Sequence, residues 1–123
     1  MAYTNQLTLL NAAVTTTTGE IFAVGDREHL SVQFIASAIT SGNGVFLLEV
    51  SNDGTNFVQY NRLVDNVVNA ITEGDVRVAS CTLNSNINKM YFIDHSDHFE
   101  YVRAKVTRTT DGTYSAIMHT EIA

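Results

Sequence analysis

Apolar and polar residues alternate with a period of two along several stretches of the chain. In HLSVQFIASAI (29–39), Leu30, Val32, Phe34, Ala36 and Ala38 form one face, while Ser31, Gln33 and Ser37 form the other and Ile35 is the exception. In FEYVRAKVTRT (99–109), Val102, Ala104 and Val106 alternate with Arg103, Lys105 and Thr107. In TYSAIMHTEI (113–122), Tyr114, Ala116 and Met118 alternate with Ser115, Ile117 and His119. That period is the mark of a strand with one face on a core. No comparable window carries the i, i+3, i+4, i+7 stripe of a capped helix. The segment NRLVDNVVNAITEG (61–74) comes nearest, through Leu63, Val67 and Ile71, but its Asn and Val content favours strand and loop.

Proline is absent, so the turns fall to Gly, Asn, Asp and Ser, which recur between the strand-like runs. About eight short strands with frequent turns predict an all-β, single-domain antiparallel β-sandwich, jelly-roll-like, rather than an α/β fold. Within it, residues 1–18 are expected to form an N-terminal arm or first strand and residues 19–123 the sandwich. The inward faces predict Leu30, Val32, Phe34, Phe46, Leu48, Val58, Val102, Val106 and Met118 as core.

The polar island in LEVSNDGTNFVQY (47–59) has two readings, a ligand site or a hairpin tip. A calcium loop needs several carboxylates at alternating positions, and the island offers only Asp53. A hairpin needs less. Gly54 can take the left-handed conformation that closes a three-residue loop, Asn52–Asp53–Gly54. That loop pairs Ser51 with Thr55, Val50 with Asn56, Leu48 with Val58 and Phe46 with Tyr60. Ser51, Asn52, Asp53, Gly54, Thr55 and Asn56 therefore read as a hairpin motif, with Asn52 and Thr55 bonding to the loop backbone.

Composition narrows the partners. The chain has 123 residues, 45% of them apolar, with seven basic against thirteen acidic residues and a net charge of −6. Phosphate backbones call for a basic patch, so nucleic acid is not an expected partner. Arg103, Lys105 and Arg108 read as a solvated strand face. No run is long enough to span a bilayer, and the start MAYTNQLTLLNAAV lacks the basic and apolar regions of a signal peptide, so a product assembled in a cytoplasm is expected. The single cysteine, Cys81, reads as a small inert core residue.

Chemistry-bearing motifs are few. DHSDHF (94–99) is the densest group of metal-capable side chains, but His95 and His98 sit three apart with no third ligand at a recognisable spacing, so a polar loop is the simpler reading. Nucleophile-elbow, zincin and phosphate-loop patterns are missing, and SGNGV (41–45) has neither a following helix nor a lysine. No catalytic residue, cofactor or metal site is expected. With no tryptophan, sugar stacking would rest on tyrosine or phenylalanine.

A resemblance covers most of the length. LTLLNAAVTTTTGEIFAV, VQFIASAI, FLLEVSNDGTNFVQY and FEYVRAKVTRTTDGTYSAIMHTEI follow one another in an order that resembles the small all-β structural proteins of tailed bacteriophage virions. The hairpin positions that match are Glu49, Ser51, Asp53, Gly54, Thr55, Asn56 and Phe57, the last standing where that family has tryptophan. In the last two strands Tyr101, Val102, Arg103, Lys105, Val106, Gly112, Thr113 and Ala116 match. The resemblance implies a head decoration (cement) protein located in the virion, with capsid or other virion proteins as partners. It also implies a homo-oligomer, often a trimer. The same hairpin occurs in discoidin-like and sugar-binding sandwiches, so a head or tail-fibre appendage subunit and a glycan-binding module are the alternatives. An open-edged sandwich without proline invites strand pairing. The nearly uncharged start, with Leu7, Leu9, Leu10 and Val14, is the expected intersubunit contact.

Overall fold

A computed structural model of the chain describes residues 3–65 and 76–122. Among them are twelve strands and no helix: β1 (Tyr3–Ala13), β2 (Thr17–Thr18), β3 (Phe22–Ala23), β4 (Arg27–Ser37), β5 (Asn43–Ser51), β6 (Val58–Tyr60), β7 (Leu63–Asp65), β8 (Val76–Val78), β9 (Cys81–Leu83), β10 (Asn88–Phe92), β11 (Tyr101–Thr109) and β12 (Thr113–Ile122). Of the segment expected as strand and loop over 61–74, Leu63–Asp65 is strand, and the part beyond Asp65 lies outside the described residues.

Several short strands are pieces of longer ones. β2 and β3 lie along the same β11, at Lys105–Val106 and Tyr101–Val102. β6 and β9 lie along the same edge of β5, at Leu48–Val50 and Gly44–Phe46. With these joined, the pairings nest: β1 with β12, β2 and β3 with β11, β4 with β10, and β5 with β6 and β9, all antiparallel. The chain is one long antiparallel ribbon, and the hairpin between β5 and β6 is its closed end. The ribbon winds on itself and sets β12 beside β4 and β11 beside β5. Two sheets result, ordered β1-β12-β4-β10-β7-β8 and β2-β11-β5-β6. This nested winding is the jelly roll that the alternation predicted. β7 and β8 are an excursion that leaves the β6–β9 line, crosses to the first sheet and pairs with β10.

The core lies between the sheets and is built from the faces that the period of two selects. Phe34 of β4 stacks on Phe46 of β5 with ring centres 4.7 Å apart, joining the sheets at mid-height. Tyr114 meets Phe46 edge-on at 5.7 Å, and Tyr91 flanks Phe34 at 5.9 Å. Gly44 makes room for this packing. A Cβ there would strike the Tyr114 ring, so the second glycine of SGNGV is a place where an aromatic ring lies against strand backbone. Cys81 is buried, as expected.

One expected core residue is not buried. Leu30, Val32, Phe34, Phe46, Leu48, Val102, Val106 and Met118 are all 9% exposed or less, whereas Val58 is 66% exposed. Val58 shares its sheet face with Tyr60, but it opens β6 at the end of the sandwich, over a cleft rather than under the facing sheet.

The first strand also departs from expectation in detail. Leu9 and Leu10 are each 2% exposed and belong to the chain's own core, and Leu7 packs partly against it. These residues are occupied within the subunit, because β1 is hydrogen-bonded to β12 along most of its length. Val14 alone of the four is exposed, at 56%.

Candidate functional site

The sandwich has two loop-bearing ends. At one, the 52–57 hairpin, the 93–100 segment and the turn before β4 come together, because β5, β10 and the start of β11 all reach that end. The other gathers the 38–42, 84–87 and 110–112 loops.

The hairpin is closed by its own side chains. Ser51 Oγ accepts the amides of Asp53 (3.2 Å) and Gly54 (2.9 Å) and donates to Asp53 Oδ1 (2.8 Å). Asp53 Oδ1 accepts the amides of Thr55 (2.9 Å) and Asn56 (2.8 Å), and its Oδ2 accepts Asn56 Nδ2 (2.7 Å). Gly54 takes a φ of 76°, the conformation expected of it. The register differs from expectation: Val50 faces Val58 and Leu48 faces Tyr60. The loop is therefore longer by two residues than the expected three-residue loop. Asp53 spends the Thr55 and Asn56 amides inside the loop, which removes them from the ladder. A shift of two residues keeps the faces, so Leu48 and Tyr60 still point inward together. Phe57 lies outside, under the guanidinium of Arg103, 4.0 Å from the ring centre. Amides on Asp53, those of Asn56 and Thr55 first, hold its carboxyl well below the usual carboxylate range.

Beside the hairpin is a polar cluster. Tyr60 donates to Asp97 Oδ2 at 2.6 Å, and the Asp94 amide reaches the Tyr60 hydroxyl at 3.4 Å. Arg62 lies 3.2 Å from Asp97 Oδ2 and 3.5 Å from Asp94 Oδ2, and Arg77 lies 2.8 Å from the same Asp94 oxygen. Asp94 Oδ1 accepts the Ser96 amide (2.9 Å) and hydroxyl (2.8 Å). Those two bonds, aided by Arg77 and Arg62, lower the Asp94 carboxyl to about 2. Burial first, and the bond to Asp97 next, push the Tyr60 phenol well above its ordinary range. At neutral pH the cluster thus holds an ionised Asp94 and a protonated Tyr60 in a closed set of hydrogen bonds.

DHSDHF forms the loop that supplies Asp94 and Asp97, as the polar-loop reading expected. His95 is exposed, with its Nδ1 3.9 Å from Asp94 Oδ1. Among the described residues no three His, Cys, Asp or Glu side chains converge on a possible ion position. Two clefts flank this loop at His98. One of about 380 Å³ is bordered by Asn52, Asn56, Val58, Tyr60, Arg62 and His98. The other, of about 200 Å³, lies under Arg27, His29, Asp94, His95 and His98.

The hairpin motif Ser51–Asn56 and the 94–98 cluster share this end. Leu7, Leu9 and Leu10 lie along β1, and Val14 follows its far end, so the structure does not bring the two groups of expected site residues together. Tyr60, Arg62 and Arg77 carried no signal in the sequence, where they stand in unrelated segments. Their meeting depends on the β7–β8 excursion, which no local pattern announces.

At the opposite end Asp111 ties the loops. Its carboxylate accepts the amides of Thr40 (3.2 Å), Ser41 (3.2 Å) and Gly42 (3.0 Å). Burial raises its pKa, but those amides and Arg108 outweigh it and leave the carboxyl below its ordinary range. On the outer face of the second sheet Arg103 pairs with Glu49 at 2.8 Å, and beside the 110–112 loop Arg108 donates to the Gly112 carbonyl at 2.9 Å.

No family model and no curated protein sequence matches the chain. Solved structures do match its fold. The SPBc2 prophage-derived protein YomS superposes with a TM-score of 0.66 at 19% identity, over 98% of this chain and 95% of that one. The PBSX exported protein XepA gives a TM-score of 0.68 at 15% identity, and the chain spans 38% of its length. The VP2 subviral particle of infectious bursal disease virus gives 0.56 at 6% identity, with 33% of its chain covered. These three neighbours are prophage-derived and viral proteins. At these identities the likeness is one of fold.

Proposed function

We propose that the chain is a non-enzymatic structural protein of a virion, and within that class a decoration protein that coats or stabilises a phage head. The observation that carries this reading is the match to a prophage-derived protein over nearly the whole of both chains, 98% and 95%. It is compatible with the polar cluster, whose carboxylates are engaged with the Tyr60 phenol and the two arginines. A decoration subunit works by many weak contacts that add through multivalency, which asks for surfaces rather than a reactive centre. Its partners would be capsid proteins and further copies of itself, a trimer being the form that the sequence resemblance implies.

The test is add-back. Particles produced without this chain should bind the purified protein to saturation, at a fixed ratio to the major capsid subunit. Absence of the chain from purified particles, or binding that never saturates, would refute the reading. The second reading, an appendage or glycan-binding module, is favoured by the cleft that places Asn52, Asn56, Arg62 and His98 around Tyr60. Retention on immobilised glycans, lost in Arg62→Ala, would shift the assignment to it.

A further inference from the structure

The four edges of the two sheets are not alike. The β2–β3 edge is broken into two-residue pieces, and the β6–β9 edge is broken where the chain departs into β7 and β8. The β8 edge is three residues long and carries Arg77. β1 is different: it is eleven residues long, ends the first sheet, and has no Asp, Glu, Lys, Arg or Pro from Tyr3 to Ala13. Soluble proteins blunt such an edge with short strands, charges or proline, and an unblunted one is a template for another strand. Gly19 closes over the Leu9 carbonyl, so the open part of the edge is its first half, Tyr3–Thr8. No backbone hydrogen bond outside the strand ladders uses those residues.

The sheet face that continues from Gln6 and Thr8 carries no Asp, Glu, Lys or Arg, whereas Glu121 and Glu28 lie in line with Thr4 nearer the start of the strand. Gln6 and Thr8 of β1 lie beside His119 and Ile117 of β12, which lie beside Ser31 and Gln33 of β4. The outer face of the second sheet, by contrast, carries Arg103, Lys105 and Glu49. In a chain of net charge −6, most approaches between two copies bring like charges together. The edge and face around Gln6 and Thr8 are where that repulsion is least.

We infer that β1 is a homotypic interface: the Tyr3–Thr8 edge pairs antiparallel with the same edge of a second copy and runs the first sheet on across the contact. A two-fold axis through Gln6 sets Gln6 against Gln6, Asn5 of one copy against Leu7 of the other, and Thr4 against Thr8. The half-buried Leu7 side chains then extend the core, and polar Gln6 and Thr8 remain on the outer face. A strand pair of this length buries less than the roughly 800 Å² per partner of a stable complex, so the association exchanges with concentration. This inference stands apart from the virion reading, because it needs no particle.

Sedimentation velocity of the full chain over about a hundredfold range of concentration tests it. The wild-type chain should show a concentration-dependent shift from monomer to dimer. Two charge variants decide the site, Gln6→Lys with Thr8→Lys, and Gln6→Glu with Thr8→Glu. Both positions are exposed, so the unfolding midpoint should stay close to wild type. Each variant alone should associate at least about tenfold more weakly, and an equimolar mixture of the two should recover wild-type association. Thr82→Lys, exposed on the broken β6–β9 edge, should leave association unchanged. A wild-type chain that is monomeric throughout, charge variants that associate like wild type, or a mixture that fails to recover association would each overturn the proposal.

Discussion

Phe46→Ala removes the ring that joins the sheets. Phe46 is 0% exposed, stacks on Phe34 at 4.7 Å and meets the edge of Tyr114 at 5.7 Å. Truncating a buried phenylalanine costs about 3–5 kcal/mol, the transfer of the ring plus the cavity it leaves. Two ring partners are lost as well, and neither can follow into the gap, since Phe34 and Tyr114 are held on the paired strands β4 and β12. A cost of about 4 kcal/mol is therefore expected, a large share of the roughly 5–15 kcal/mol that holds a domain folded. For 123 residues, an unfolding entropy of about 2.1 cal/mol/K per residue gives about 0.26 kcal/mol/K. The midpoint should then fall by about 15 °C. Val58→Ala is the matched control: it has the same inward parity in the sequence but is 66% exposed, so it should change stability by no more than about 0.5 kcal/mol. Urea unfolding followed by circular dichroism, with calorimetry for the midpoint, measures both. A Phe46→Ala cost below about 1.5 kcal/mol, or a Val58→Ala cost equal to it, would show that the two sheets do not meet through this ring.

Gly44→Ala places a methyl against the Tyr114 ring and should cost about 2 kcal/mol, read from the same unfolding curves; a neutral result would mean that the ring can swing away. The Asp94 carboxyl, at about 2, lies below its ordinary 3.8, so the unfolded chain takes the proton first. Its stabilisation is complete above the ordinary value and is lost as pH falls through about 2, and Asp94→Asn should flatten the acid limb of the stability–pH curve in that window. A chelator should leave the thermal midpoint unchanged, since no three potential ligands converge among the described residues; a lowered midpoint would place an ion in the structure.

The period of two by itself determined that the chain is all-β, and it selected the inward faces of β4, β5, β11 and β12 correctly. That is because the side-chain direction of a strand is a local property. It also located the Ser51–Asn56 hairpin, whose glycine and Asx chemistry acts over a few residues. The tertiary structure decided what depends on distant pairing. Tyr3 faces Ile122 across almost the full chain, and nothing near either residue states that register. The loop length was decided by where Asp53 spent its hydrogen bonds, and the exposure of Val58 by where the facing sheet stops. The meeting of Tyr60, Arg62, Arg77, Asp94 and Asp97 required the ribbon to wind and the β7–β8 excursion to cross between sheets. Leu9 and Leu10 read as surface-seeking in an uncharged segment, yet pairing with β12 turned them inward, leaving the bare edge of β1 rather than its leucines open to a neighbour. Alternation says which side of a strand is apolar; only the assembled sheets say what lies on either side of it.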